Sequence, residues 1–184
     1  MMNAFRRHYT GPLQREKIPE PVFEECPDLV EFYWRAWELA WDHVLDRDGA
    51  PQSPYMDEAF DPNTIWIWDT CFMVQFCKYA PSLFFGVQSF DNFYLPLHKQ
   101  VESSLQIQHP DNPPLFAWVE REHYRLTGDK ERLQRILVEE QFLQKHFAFI
   151  EASRAGQQYD GANCPCGAQR ESLGYRWSDL SSGM

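Results

Sequence analysis

The sequence predicts an all-α protein, an array of helical hairpins joined by long decorated loops. Apolar residues recur at helical spacing in several stretches, and no stretch sustains the period-two alternation of a half-buried strand. Glycine and proline clusters punctuate those stretches. Hydrophobic residues make up 43% of the 184, enough to build a core, and no segment repeats at the 20–50-residue period of solenoids.

Taken in order, residues 1–27 read as a polar N-terminal arm bearing Pro12, Pro19 and Pro21. Asp28 can cap a first helix running to about Asp46. Within it Val30, Trp34, Trp37 and Trp41 follow at spacings of 4, 3 and 4, so they share one face and form a core stripe. Residues 47–63 form a loop with Gly49, Pro51, Pro54 and Pro62. It is long for a connector, and such loops often carry function. A second helix starts near Trp68 or Asp69 and ends at Pro81. A loop or short helix then carries Asp91–Tyr94, and a further helix spans about Leu97 to Gln106. His109-Pro-Asp-Asn-Pro-Pro114 breaks the chain, and Pro113 and Pro114 suit a helical first turn. That helix runs to Thr127 and stops at Gly128. Asp129 caps a long helix to about Ala152. From Arg154 to Met184 no periodicity is evident.

Charge and cysteine usage exclude several classes. The formal net charge is −10, against the basic patch that binding a nucleic-acid backbone requires. No apolar run approaches the roughly 20 residues of a membrane span. Arg6 and Arg7 lead into no apolar segment, so a secretory signal is not expected and a cytoplasmic location is favoured. Five cysteines at these spacings suit no disulfide framework; Cys71 and Cys77 read as core thiols. Cys164-Pro165-Cys166 lacks the second pair a tetrahedral zinc site needs. Glu120-x-x-His123 is half of a di-iron signature whose other half is missing, so both residues are expected on a polar helix face. His8, His43, His98, His109 and His146 form no i,i+4 pair. There is neither a Gly-rich phosphate loop nor a G-x-S-x-G elbow. No metal and no cofactor are expected.

The most informative stretch is Ile65-Trp66-Ile67-Trp68-Asp69-Thr70. Two Trp beside an Asp at a loop-to-helix junction suit carbohydrate. Sugar rings offer C–H faces to aromatics, and a carboxylate accepts hydrogen bonds from hydroxyls. The same residues equally suit a helix N-cap and a core, and spacing does not separate the two readings. The total of 7 Trp, 8 Tyr and 14 Phe divides likewise between a core of large rings and an aromatic-lined pocket. In His109–Trp118, prolines can aim Asp111 and Asn112 at a site, or Asn112 can simply cap the following helix.

Trp68-Asp69-Thr70-x-Phe72 resembles the W-D-[ST]-x-F motif of glycoside hydrolase family 63 and its trehalase-like relatives, which fold as (α/α)6 barrels. Asn112-Pro113-Pro114-x-x-Ala117-Trp118 resembles the family's [NQ]-P-P-x-x-A-W. Arg125-Leu126-Thr127-Gly128-Asp129 resembles the helix-turn that follows, and Ser182-Gly183-Met184 the start of S-G-[ML]-D-x-[ST]-P-R. The motifs come in family order across roughly residues 28–184. The resemblance implies that 28–184 are the N-terminal portion of an (α/α)6 toroid, incomplete in this chain. The implied activity is inverting hydrolysis of an α-glucoside or α-mannoside. Asp69 would bind the sugar of the −1 subsite, with Trp68, Phe72 and neighbouring Trp66 shaping the pocket and Asn112 contacting the same sugar. An inverting enzyme needs two carboxyls about 6.5–9.5 Å apart. The family's general acid is the Asp of S-G-M-D, expected just after Met184, and its base lies further on, so no catalytic residue is expected within the chain. The implied partners are carbohydrate and either the remainder of the catalytic domain or another copy of the chain. The alternative is a non-catalytic carbohydrate-binding or helical interaction module. Another helical-barrel enzyme, such as an epimerase, would need His or acidic clusters of its own.

Overall fold

The structure, a computed structural model, describes residues 6–9, 11–58, 61–110, 112–113, 115–154, 169–171 and 174–176. It is mostly helical, with six α-helices and small sheets among these residues.

Helix α1 (Pro27–Asp42) starts two residues earlier than a cap at Asp28 would dictate. Pro27 takes its first position, where the missing N–H costs nothing, and no side chain caps it. Trp37 is buried, and Trp34 and Trp41 pack half-buried beside it, as the stripe predicts. The helix ends at Asp42 rather than Asp46. Val44–Arg47 instead form β2, the centre of a three-stranded antiparallel sheet with β1 (Arg6–His8) and β3 (Tyr55–Met56). The strand was hidden because Val44, Leu45 and Arg47 are all buried; a strand covered on both faces does not alternate. The arm is tied down at several points. β1 pairs with β2, Trp41 Nε1 donates to the carbonyl of Gly11 at 2.9 Å, and Ile18 is buried.

A second pair of strands, β4 (Thr64–Trp66) and β5 (Gln106–Gln108), runs parallel. Helix α2 (Ile67–Gln75) follows β4 directly and is shorter than expected; a 3₁₀ turn at Cys77–Tyr79 carries the chain to Pro81. The helix expected over 97–106 is not formed. Instead a 3₁₀ turn (Val87–Phe90) leads into α3 (Asp91–Lys99), which contains Pro96 and stops where Gln100 turns left-handed, φ 56°. Helix α4 (Phe116–Thr127) stops at Gly128, whose φ of 69° is the left-handed conformation glycine adopts freely. Asp129 accepts from the N–H of Arg132 at 2.9 Å, capping α5 (Lys130–Gln134) as predicted.

The long helix expected from there is broken. A π-helical segment (Arg135–Glu139) and a left-handed Gln141 separate α5 from α6 (Phe142–Arg154). At about 100° per residue, a straight α-helix would point Ile136 and Phe142 well apart. The wide turn lets both reach the core, where they are fully buried. A last hairpin pairs β6 (Gln169–Glu171) with β7 (Gly174–Arg176).

Among the described residues, many of the aromatic rings belong to the core or pack against it. Trp37 meets Phe76 and Phe84 at centroid distances of 5.2 and 5.3 Å. Phe116 meets Phe90 and Tyr94, each at 4.9 Å, and Tyr94 stacks on Phe142 at 4.9 Å and 14°. The loop 48–63 is anchored to this core. Arg47, 5% exposed, donates to Ser104 Oγ at 2.9 Å, to the Ser104 carbonyl at 2.7 Å, to Asn63 Oδ1 at 3.1 Å and to the carbonyl of Pro62. Asn92 exchanges two hydrogen bonds with the Gln52 backbone.

The core also holds an ion pair. Glu120 and His123 are buried, at 3% and 7% exposure, not on a polar face. Arg132 grips Glu120 in a two-pronged contact of 2.7 and 2.6 Å, donates to the carbonyl of Val87 at 2.6 Å, and Tyr94 donates to Glu120 at 3.2 Å. Burial opposes the charge on Arg132, but the Glu120 carboxylate outweighs it and raises the guanidinium's pKa. Arg132→Ala should cost about 3–5 kcal/mol in urea unfolding, because it strands a buried carboxylate. The double variant Glu120→Leu/Arg132→Met should recover most of that loss, since neither charge then needs a partner.

Candidate functional site

In the parallel pair, Thr64 opposes Gln106, Ile65 opposes Ile107 and Trp66 opposes Gln108. Two segments distant in sequence therefore leave the sheet at the same end. One becomes α2. The other turns through His109, φ 48°, whose carbonyl accepts from the Asn112 N–H at 2.9 Å, and becomes α4. Helices α2 and α4 pack together, which brings the W-D-T-x-F stretch beside the end of the N-P-P-x-x-A-W stretch.

Helix α2 divides its residues by face. Ile67, Thr70, Cys71 and Val74 are buried, while Trp68 and Asp69 are half-buried and Phe72 is 46% exposed. Phe72 stands four residues from Trp68 and three from Asp69, so it neighbours each on the helix surface. The rings of Trp68 and Phe72 lie 4.9 Å apart, tilted by 57°. Phe72 meets Trp118 edge-on at 5.9 Å, and Trp118 is 44% exposed. The result is an open aromatic cluster with a carboxylate one residue from its edge.

The capping alternative for Asp69 fails. Ile67 is fully buried and begins the helix, so Trp66 occupies the N-cap position and Asp69 lies in the first turn. Its charge there complements the helix dipole and stays half-accessible. Asn112 likewise is not the cap of α4, where Leu115 stands; its side chain is buried at 3% exposure. Trp66 sits half-buried at the end of β4. The structure thus gathers Trp68 and Phe72 with Trp118, while Asn112 lies in the packed base of its loop. The resemblance does not by itself mark Trp118 as a sugar contact. Its signal was its place in the same motif as Asn112.

Burial, then the charges of Glu120 and Asp69, push the Cys71 thiol well above its ordinary range, and burial does the same to Cys77. Both are core thiols, as expected. Among the described residues, no three His, Cys, Asp or Glu side chains cluster tightly enough to hold a metal ion, and no helix is long and apolar enough to cross a membrane. Asp111, Pro114, Cys164, Cys166 and Ser182–Met184 lie outside the described residues.

Comparison with protein-family models, with curated proteins and with solved structures finds no match for this chain.

What the arrangement can do follows from its rings. Exposed aromatic faces offer partly dry surface to C–H groups, and the Asp69 carboxylate offers a strong acceptor nearby. If the cluster is built for contact rather than for the core, its removal should cost little stability. Trp118→Ala should lower the unfolding free energy by at most about 1 kcal/mol, the size of a lost exposed ring pair. Phe116→Ala, two residues away in the core, should cost about 3–5 kcal/mol in the same denaturation series.

Proposed function

We propose that this chain supplies sugar-binding surface in an inverting glycoside hydrolase of the family 63 type, and that residues 28–184 contribute to an (α/α)6 toroid. The observation that carries the reading is the meeting of two sequence-distant motifs, with the Trp118 ring 5.9 Å from that of Phe72. Nothing in the local sequence of either motif requires the other. A shared site does.

In this reading Trp68, Phe72 and Trp118 stack against the apolar faces of a hexose, and Asp69 accepts from its hydroxyls. Asn112, itself buried in the segment before α4, shapes the pocket. The resemblance assigns the acid and base of the two-carboxyl reaction to positions outside residues 1–184, so the role here is recognition. Helix α1 accords with membership of a larger helical array. Its Trp face packs on the core, and Leu29, Phe32 and Leu39 on its outer side are 51%, 72% and 47% exposed. A solitary helix seldom spends large apolar residues on both faces.

The openness of the cluster also favours a second reading, a binding module that holds sugar without cleaving it. Saturation-transfer NMR with methyl α-glucoside and methyl α-mannoside tests both. Transfer to the sugar C–H protons is expected, with loss in Trp118→Ala and in Asp69→Ala. Silence from both sugars overturns the reading. Binding by this chain in a setting where no hydrolysis follows, even with the candidate acid and base supplied, selects the module. In an enzyme carrying both carboxyls, Asp69→Ala should lower kcat/KM by about a hundredfold, the effect of removing a hydrogen bond that strengthens in the transition state.

A further inference from the structure

Away from the aromatic cluster, two histidines meet where α6 packs on α3. The His98 and His146 rings lie 5.5 Å apart at 71°. His146 is 1% exposed. It stacks on Phe149 at 6.0 Å and 19°, and meets Phe116 edge-on at 5.0 Å. His98 faces Phe142 and Phe149, each at 6.4 Å. Neither nitrogen of His146 nor Nε2 of His98 has a hydrogen-bond partner among the described residues. A neutral imidazole tolerates such a place as an aromatic ring. An imidazolium does not, since both its N–H groups then demand acceptors.

Several charged groups near the pair are paired elsewhere or repel a protonated ring. On α3, Asp91 holds Arg135 at 2.6 Å and Lys99 holds Glu140 at 2.7 Å. On α4, Glu120 is held by Arg132 at 2.6 Å. On α6, Lys145 sets a like charge against a protonated His98.

We propose that His98 and His146 form an acid-sensitive latch between α3 and α6: neutral rings close it, and a protonated ring opens it. Burial, then the neighbouring His98, lowers the His146 pKa from 6.5 to about 3. Burial, then Lys145, lowers that of His98. A ring freed from the contact returns to about 6.5. The opened form therefore binds more protons below that value, and closure is lost as pH falls from about 6.5 toward 3. Each histidine released adds up to about tenfold in the open population per pH unit. Two ion pairs, Asp91–Arg135 and Lys99–Glu140, tie the two ends of α3 to the segment that precedes α6. The inference does not rest on the sugar reading.

Hydrogen exchange read by mass spectrometry, corrected for the intrinsic rate, tests it between pH 7.5 and 4.5. Peptides over Phe142–Arg154 should lose protection by about tenfold or more per pH unit below 6.5, while those over α2 and α4 change less. His146→Phe, which keeps a ring stacked on Phe149, should flatten the response. The exposed substitution Lys145→Glu should shrink it by giving His98 a favourable charge, and it serves if the core variant does not fold. Protection of α6 that ignores pH overturns the latch. So does loss of α2 and α6 together, or a pH response unchanged in both variants.

Discussion

The bidentate contact between Arg132 and Glu120 is the constraint around which the helices are arranged. A carboxylate and a guanidinium, both nearly inaccessible, are tolerated only when each satisfies the other. The fork reaches from the start of α5 to the middle of α4, and its remaining donor takes the carbonyl of Val87 just before α3. Tyr94 adds a hydroxyl from α3, its own ionisation pushed far up by burial and by the Glu120 charge. Three helices are therefore located by one small set of directional bonds, and the stacked rings of Tyr94, Phe116 and Phe142 fill the space that set defines. Greasy surfaces alone would allow those rings several arrangements. The ion pair allows few.

Seen from that centre, the candidate site is a peripheral consequence of the same packing. Phe116 turns into the core while Trp118, two positions on, turns out. Helix α4 is thereby fixed in rotation, and the exposed side it shares with α2 carries Phe72 and Trp118 in contact. The parallel strands β4 and β5 complete the geometry by starting both helices from one end of a small sheet. A site made this way rests on rigid elements, which is what orienting a sugar ring demands.

Much of this was legible in the chain. The Trp stripe of α1, the Gly128 stop and the Asp129 cap followed from spacing and capping chemistry, because these depend on residues within a turn or two. The Trp68–Asp69–Phe72 face was equally readable, being one side of a single helix. The strands were not. They are two to four residues long, too short for a period to show, and β2 and β3 are buried almost throughout. The break at 135–141 escaped for a different reason: a π turn has no composition of its own and exists here to bring Ile136 and Phe142 to the same core.

By itself, then, the sequence determined the local matters: the mostly helical class, the Gly128 stop, the Asp129 cap and the aromatic supply. Tertiary structure decided the non-local ones. Glu120 read as part of a polar face because charge in a helix is usually solvated, and only the arrival of Arg132 compensates its buried carboxylate. Asp69 read equally as a cap, and only the burial of Ile67 moved the helix start past it. Trp118 joined Phe72 because two strands separated by a long excursion lie side by side. In each case the deciding energy lies between residues far apart in the chain, where local pattern carries no information.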